Sequence, residues 1–150
     1  MILLADLIRL PLPADPQPTP PFSEHSLRQI ESRMTALADL SLRSGVINAE
    51  QAERMMNRFD YLTGTIRDLQ RRLQLREGLD FSDVFDLRNR WKDGYRTFVR
   101  FRDVLRDSLN ILVLNGTVEV ARADAIKTEA DAFFAQMMEV DRIVRVSLRS

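Results

Sequence analysis

From Ser23 onward, apolar residues recur at alternating spacings of three and four, the pattern of a helix that buries one face. Leu27, Ile30, Met34 and Leu37 follow Ser23 and Ser26, either of which can cap a helix start, and the run stops before Gly45, which suits a left-handed C-terminal residue. The spacing predicts a first helix over 24–44. A second, over 49–77, opens at Asn48 with Gln51 three residues on, a reciprocal capping pair, and ends before Gly78. Its seam of Ala52, Met55, Phe59, Leu62, Ile66, Leu69 and Leu73 keeps the alternation of a coiled coil over about three heptads and leaves Gly64 on the solvent side.

The third predicted helix, 81–114, is capped by Asp80 or Ser82 and carries Val84, Leu87, Trp91, Phe98, Phe101, Leu105 and Leu112 at the same spacing. Gly94 stands at the position this series skips. A glycine there costs about 1 kcal/mol of helix propensity, so the pattern implies room for a large side chain from a facing helix. The fourth, 118–148, reads Ala123, Ile126, Ala130, Phe133, Met137, Val140 and Val144, with Phe134 and Met138 widening the face. Between the last two helices, Ile111–Val120 supports two readings. Asn115-Gly116 flanked by apolar residues has the residue types of a β-hairpin turn, yet the same pair can end a helix in left-handed conformation while Thr117 caps the next. Helical periods on both sides favour the turn between helices.

The expected fold is therefore an all-α, antiparallel four-helix bundle with coiled-coil-like seams, occupying 23–150. Two segments precede it. All six prolines lie between Pro11 and Pro21, and proline fixes φ and lacks an amide hydrogen, so 11–22 reads as an extended proline-rich linker. Ahead of it, residues 1–10 form an apolar N-terminal arm in which Ile2, Leu3, Leu4, Leu7, Ile8 and Leu10 crowd around Asp6 and Arg9. The arm is shorter than the ~20 residues that cross a bilayer and lacks the basic region and cleavage site of a secretory signal, so a cytoplasmic protein with no transmembrane segment is expected. Its six large apolar residues are the candidate partner-binding set, packing back onto the bundle or docking in trans. The first helix is shorter than its neighbours, which predicts an uncovered stretch of groove for the arm to fill.

Composition narrows the chemistry. At 150 residues with 45% hydrophobic and 29% charged, the chain has the size and make-up of one globular domain. It has no cysteine and one histidine, so disulfides and thiolates are excluded and the usual metal, triad and acid–base sets lack most of their parts. No catalytic, cofactor or metal residues are assigned. The setting Glu24-His25-Ser26-Leu27-Arg28-Gln29 resembles that of phosphoacceptor histidines on four-helix phosphotransfer domains, which implies phosphotransfer at His25. Those domains carry the histidine in mid-helix, whereas His25 stands near a predicted helix start and Gln29 replaces the small residue that commonly follows the basic one.

Twenty-two basic residues balance twenty-two acidic ones, so any charge argument is local. Between 88 and 106, Arg88, Arg90, Lys92, Arg96, Arg100, Arg102 and Arg106 face only Asp93 and Asp103. Arg88, Arg96, Arg100 and Arg106 are the candidate anionic-ligand face; with Arg67, Arg71, Arg72 and Arg76 they make a nucleic-acid-binding accessory protein the alternative. Against it, the fourth helix carries Glu119, Asp124, Glu129, Asp131, Glu139 and Asp141, so pairing between the third and fourth helices can absorb the excess. The leading expectation is a non-enzymatic interaction or assembly module whose partner is another protein or a second copy of itself.

Overall fold

The computed structural model describes residues 22–74 and 79–149. The predicted arm and the linker up to Pro21 lie outside the described residues, as does the expected end of the second helix at 75–78. Four helices make up the described chain: α1 over Glu24–Arg43, α2 over Ala49–Gln74, α3 over Phe81–Leu114 and α4 over Val120–Ser147. They form a bundle in which α1 and α3 each pack against both α2 and α4.

The helix starts follow the local chemistry. Ser23 caps α1, its Oγ accepting the Ser26 amide at 2.9 Å. Asn48 and Gln51 exchange hydrogen bonds of 2.9 and 2.8 Å ahead of α2. Asp80 and Asp83 do the same for α3. The start of α4 differs from expectation, because Thr117 does not cap it and Glu119 occupies the cap position without a side-chain hydrogen bond. Amides of Thr117 and Val118 both bond back to the Leu112 carbonyl, which closes the end of α3 and buries Val118 before α4 can begin. The alternative of a β-hairpin is overturned by α3 continuing through Leu114.

Most of each predicted seam is buried. At its centre lies an aromatic cluster in which Phe98 sits 5.6 Å from Phe59, 6.2 Å from Phe133 and 5.5 Å from Phe134 by ring centroids. Four residues depart from the predicted series: Leu73, Phe101 and Leu112 are only half-buried, and Met138, about 100° around the helix from Met137, is exposed, while Leu109, outside the series, is buried. Gly94 serves the purpose its position implied: a β-carbon there would stand 2.8 Å from the Tyr61 ring and 3.1 Å from Leu62 Cδ2. The arm predicted to fill a groove beside the short α1 lies outside the described residues. Phe22, Leu69, Val140, Val144 and Leu148, at the end where α1 begins, are all buried.

The α1–α2 and α3–α4 pairs are built alike at an offset of 71 residues. Gly45 and Gly116 adopt φ of 75° and 71°. Amides of Ser44, Gly45, Val46 and Ile47 bond to Leu40, Leu42 and twice to Ser41, and those of Asn115, Gly116, Thr117 and Val118 bond in the same order to Ile111, Val113 and twice to Leu112. Burial follows the offset too: Leu27 matches Phe98, Met34 matches Leu105, Met55 matches Ile126, Leu62 matches Phe133 and Ile66 matches Met137.

Candidate interaction surfaces

Polar contacts between helices are concentrated away from the interface where charge matching was expected. Arg67 on α2 bridges Glu24 and Glu31 of α1 at 2.9 and 2.8 Å. These bonds, first to Glu31 and then to Glu24, hold the guanidinium more firmly protonated than usual. Asp68 accepts from Arg71 and Arg90 at 2.6 and 2.7 Å and from Arg72 at 3.1 Å, so it ties α2 to α3. Burial alone would raise its carboxyl, but the hydrogen bonds of Arg71, Arg90 and Arg72 outweigh burial and hold it at about 2. Among the described residues no ion pair joins α3 to α4; that interface is linked instead by Trp91 Nε1 donating to Asp141 at 2.8 Å and Arg88 donating to the Leu148 carbonyl at 2.7 Å. The α3 arginines are therefore not neutralised by the acidic residues of α4.

Arg88, Arg96, Arg100 and Arg106 are all exposed, but they do not share one face. Arg88 and Arg106 are five turns apart and in register, while Arg96 and Arg100 are rotated from them by about 80° and 120°. Arg96 lies 3.5 Å from Asp93 on its own helix. Arg88 enters a concave site, a groove between the first half of α3 and the C-terminal end of α4 with the residues just beyond it. Arg88, Trp91, Lys92, Arg145, Leu148 and Arg149 line it, and its volume is about 360 Å3. Arg145 and Arg149 were missed because α4 reads as an acidic helix when summed over its length. The available signal was the basic series Arg142, Arg145 and Arg149, in and just beyond its last turns and at three-four spacing. Trp91 is 2% exposed and stacks on Tyr95 at 5.7 Å, so the floor is packed into the core. Burial raises the Tyr95 phenol and the Asp141 charge adds to this, against Arg102 and Arg145.

A second surface lies at the tip of the α3–α4 pair. Leu114 is 85% exposed, Val120 61% and Ile111 57%. Leu114 and Val120 border a shallow groove of about 440 Å3 that also includes Leu109, Val113, Asp124 and Lys127. At the equivalent tip of the α1–α2 pair, Arg43 takes the place of Leu114 and Ala49 that of Val120. Another exposed apolar pair, Phe81 and Phe85, stacks at the start of α3.

His25 is exposed in the first turn of α1, beside an open polar groove shared with Arg28, Arg33 and Gln136. It is not in mid-helix. Among the described residues no group of three or more His, Asp or Glu is arranged to hold a metal, and no helix is long and apolar enough to cross a membrane. No protein-family model, curated protein or solved structure matches the chain.

Proposed function

We propose that this chain is a non-enzymatic interaction or assembly module: an antiparallel four-helix bundle with coiled-coil-like seams that receives an amphipathic helix of a partner protein at the α3–α4 tip. One observation carries the reading. Two turns of the same backbone geometry differ in that the second exposes Leu114 and Val120 where the first places Arg43 and Ala49. An exposed leucine at 85% stabilises nothing in the bundle that an arginine would not, so its apolar surface is available for a partner. Three exposed aliphatic side chains amount to a few hundred Å2, below the roughly 800 Å2 per side of a stable dimer interface and in keeping with one helix face laid in a groove. The apolar arm, through Ile2, Leu3, Leu4, Leu7, Ile8 and Leu10, belongs to the same reading as a second docking element.

The test is site-directed photo-crosslinking in the source cell. With a photoreactive amino acid in place of Leu114, a discrete adduct with another protein is expected, and adding Val120→Glu abolishes it. The same probe in place of Arg43 gives no such adduct. Lack of an adduct at Leu114, or an identical one at Arg43, overturns the proposal. An adduct of two copies of the chain overturns the choice of partner, making the tip a self-association surface.

A further inference from the structure

At the other end of the α3–α4 pair, the groove described above concentrates positive charge on an apolar floor. Four of its six lining residues, Arg88, Lys92, Arg145 and Arg149, are cations, and Trp91 and Leu148 form the floor. Asp141 partly offsets them. Its Oδ1 accepts from Arg145 Nε at 3.0 Å, but the same oxygen also accepts from Trp91 Nε1, so one carboxylate serves an indole and a guanidinium together. Among the described residues Arg88, Lys92 and Arg149 have no ion-pair partner. The bond from Arg88 Nη2 to the Leu148 carbonyl fixes that guanidinium at the mouth and leaves its other N–H groups unspent. Arg145, held through Nε, likewise keeps both terminal nitrogens available.

We infer that this groove is a binding site for a small phosphate-bearing molecule. Guanidinium forks match phosphate oxygens in pairs, and an ammonium adds a mobile point charge, so three arginines and a lysine around one concavity form a suitable donor set for a polyvalent oxyanion. At about 360 Å3 the groove is at the lower end of the range for small-molecule sites, larger than a lone phosphate requires. The indole edge and Leu148 provide an apolar floor beneath the rest of the ligand. Repulsion among the four cations, which the empty groove must bear, is relieved when the anion sits between them. The site does not depend on the tip: the two surfaces lie at opposite ends of the pair, and either reading can fail alone.

Trp91 is the only tryptophan of the chain, so its emission reports on this groove directly. Titrating the full chain with inorganic pyrophosphate at constant ionic strength is expected to give a saturable change in tryptophan fluorescence, half-complete below about 1 mM. Calorimetry covers binding that leaves the emission unaltered. Lys92→Glu and Arg149→Glu each weaken the interaction at least tenfold, and Arg149→Ala weakens it less while removing a side chain already exposed. Arg100→Glu, a charge reversal on the same helix outside the groove, leaves it unchanged. The inference is overturned by the absence of saturable binding in both measurements, or by equal weakening from Arg100→Glu, which would signify general electrostatics. It is also overturned if polyglutamate binds and pyrophosphate does not, which would make the groove a surface for acidic polypeptide.

Discussion

At Gly45 and at Gly116 the chain crosses into the left-handed region, closes the preceding helix with four amide–carbonyl bonds in the same order, and buries the aliphatic side chain two residues on, Ile47 or Val118. Around that shared backbone nearly everything else differs. The first turn is followed by a reciprocal Asn48–Gln51 cap, while Glu119 in the second makes no capping bond. Val46 is buried where Thr117 is exposed, and Arg43 stands where Leu114 is bare. What the turn requires is a residue tolerant of positive φ and one buried anchor after it. Side chains beyond these two are not set by the turn, so exposed apolar groups at Leu114 and Val120 call for an explanation outside the fold.

The core joins the two pairs, and removing its centre should have the largest effect. Phe98 of α3 contacts Phe59 of α2 and both phenylalanines of α4, whereas its counterpart Leu27 is a smaller side chain of α1. Phe98→Ala is expected to lower the free energy of unfolding by about 4 kcal/mol and Leu27→Ala by about 3 kcal/mol, in a single urea transition for each. Two separated transitions in either variant would break the comparison at its root, since the pairs would then unfold as independent units. The reverse order of losses would move the centre of the core toward α1.

An intermediate effect tests the likeness of the turns themselves. A β-carbon added at Gly45 or Gly116 meets no atom within 4 Å, so alanine is opposed at both sites by backbone conformation alone. Gly45→Ala and Gly116→Ala should each cost about 1 kcal/mol, with the same m-value and losses within about 0.5 kcal/mol of each other. A loss near zero at one site would mean that this turn does not hold the left-handed conformation, and the equivalence would fail there.

Much of this was legible beforehand because helices announce themselves locally. Ser23, Asn48 with Gln51, and Asp80 mark the three starts that side chains cap, and the three-four alternation of apolar residues marks the buried stripes. Thr117 misled because a hydroxyl after a glycine has the composition of a cap, while the actual start was set by burial of Val118, a tertiary event. The repeat was hidden for a related reason. Between 22 and 74, identities at the 71-residue offset are confined to Gly45/Gly116, Ala52/Ala123, Asp60/Asp131 and Arg71/Arg142, since core positions conserve burial while exchanging Leu for Phe or Ile for Met. The groove at Arg88 escaped the sequence because its cations come from α3 and from the end of α4 with the residue beyond its cap, and converge only through packing. Arg96 and Arg100, close to Arg88 in sequence, are rotated away from it by helix geometry.

The smallest expected effect lies where the two pairs differ inside the core. Ser41 is fully buried near the end of α1, and its hydroxyl has no hydrogen-bond partner among the described residues, although its carbonyl accepts the Val46 and Ile47 amides. The equivalent residue is Leu112, half-buried, whose carbonyl accepts the corresponding two amides. The carbonyl is thus what the turn uses, and the hydroxyl adds only the cost of being taken out of water. Ser41→Ala retains the carbonyl, removes the unpaired group and improves helix propensity, so it should stabilise the chain by about 0.5–1 kcal/mol, read as a rise in the urea midpoint at constant m-value. Destabilisation by a similar amount would show that the hydroxyl is satisfied, and the first pair would then carry a buried polar contact that the second does without.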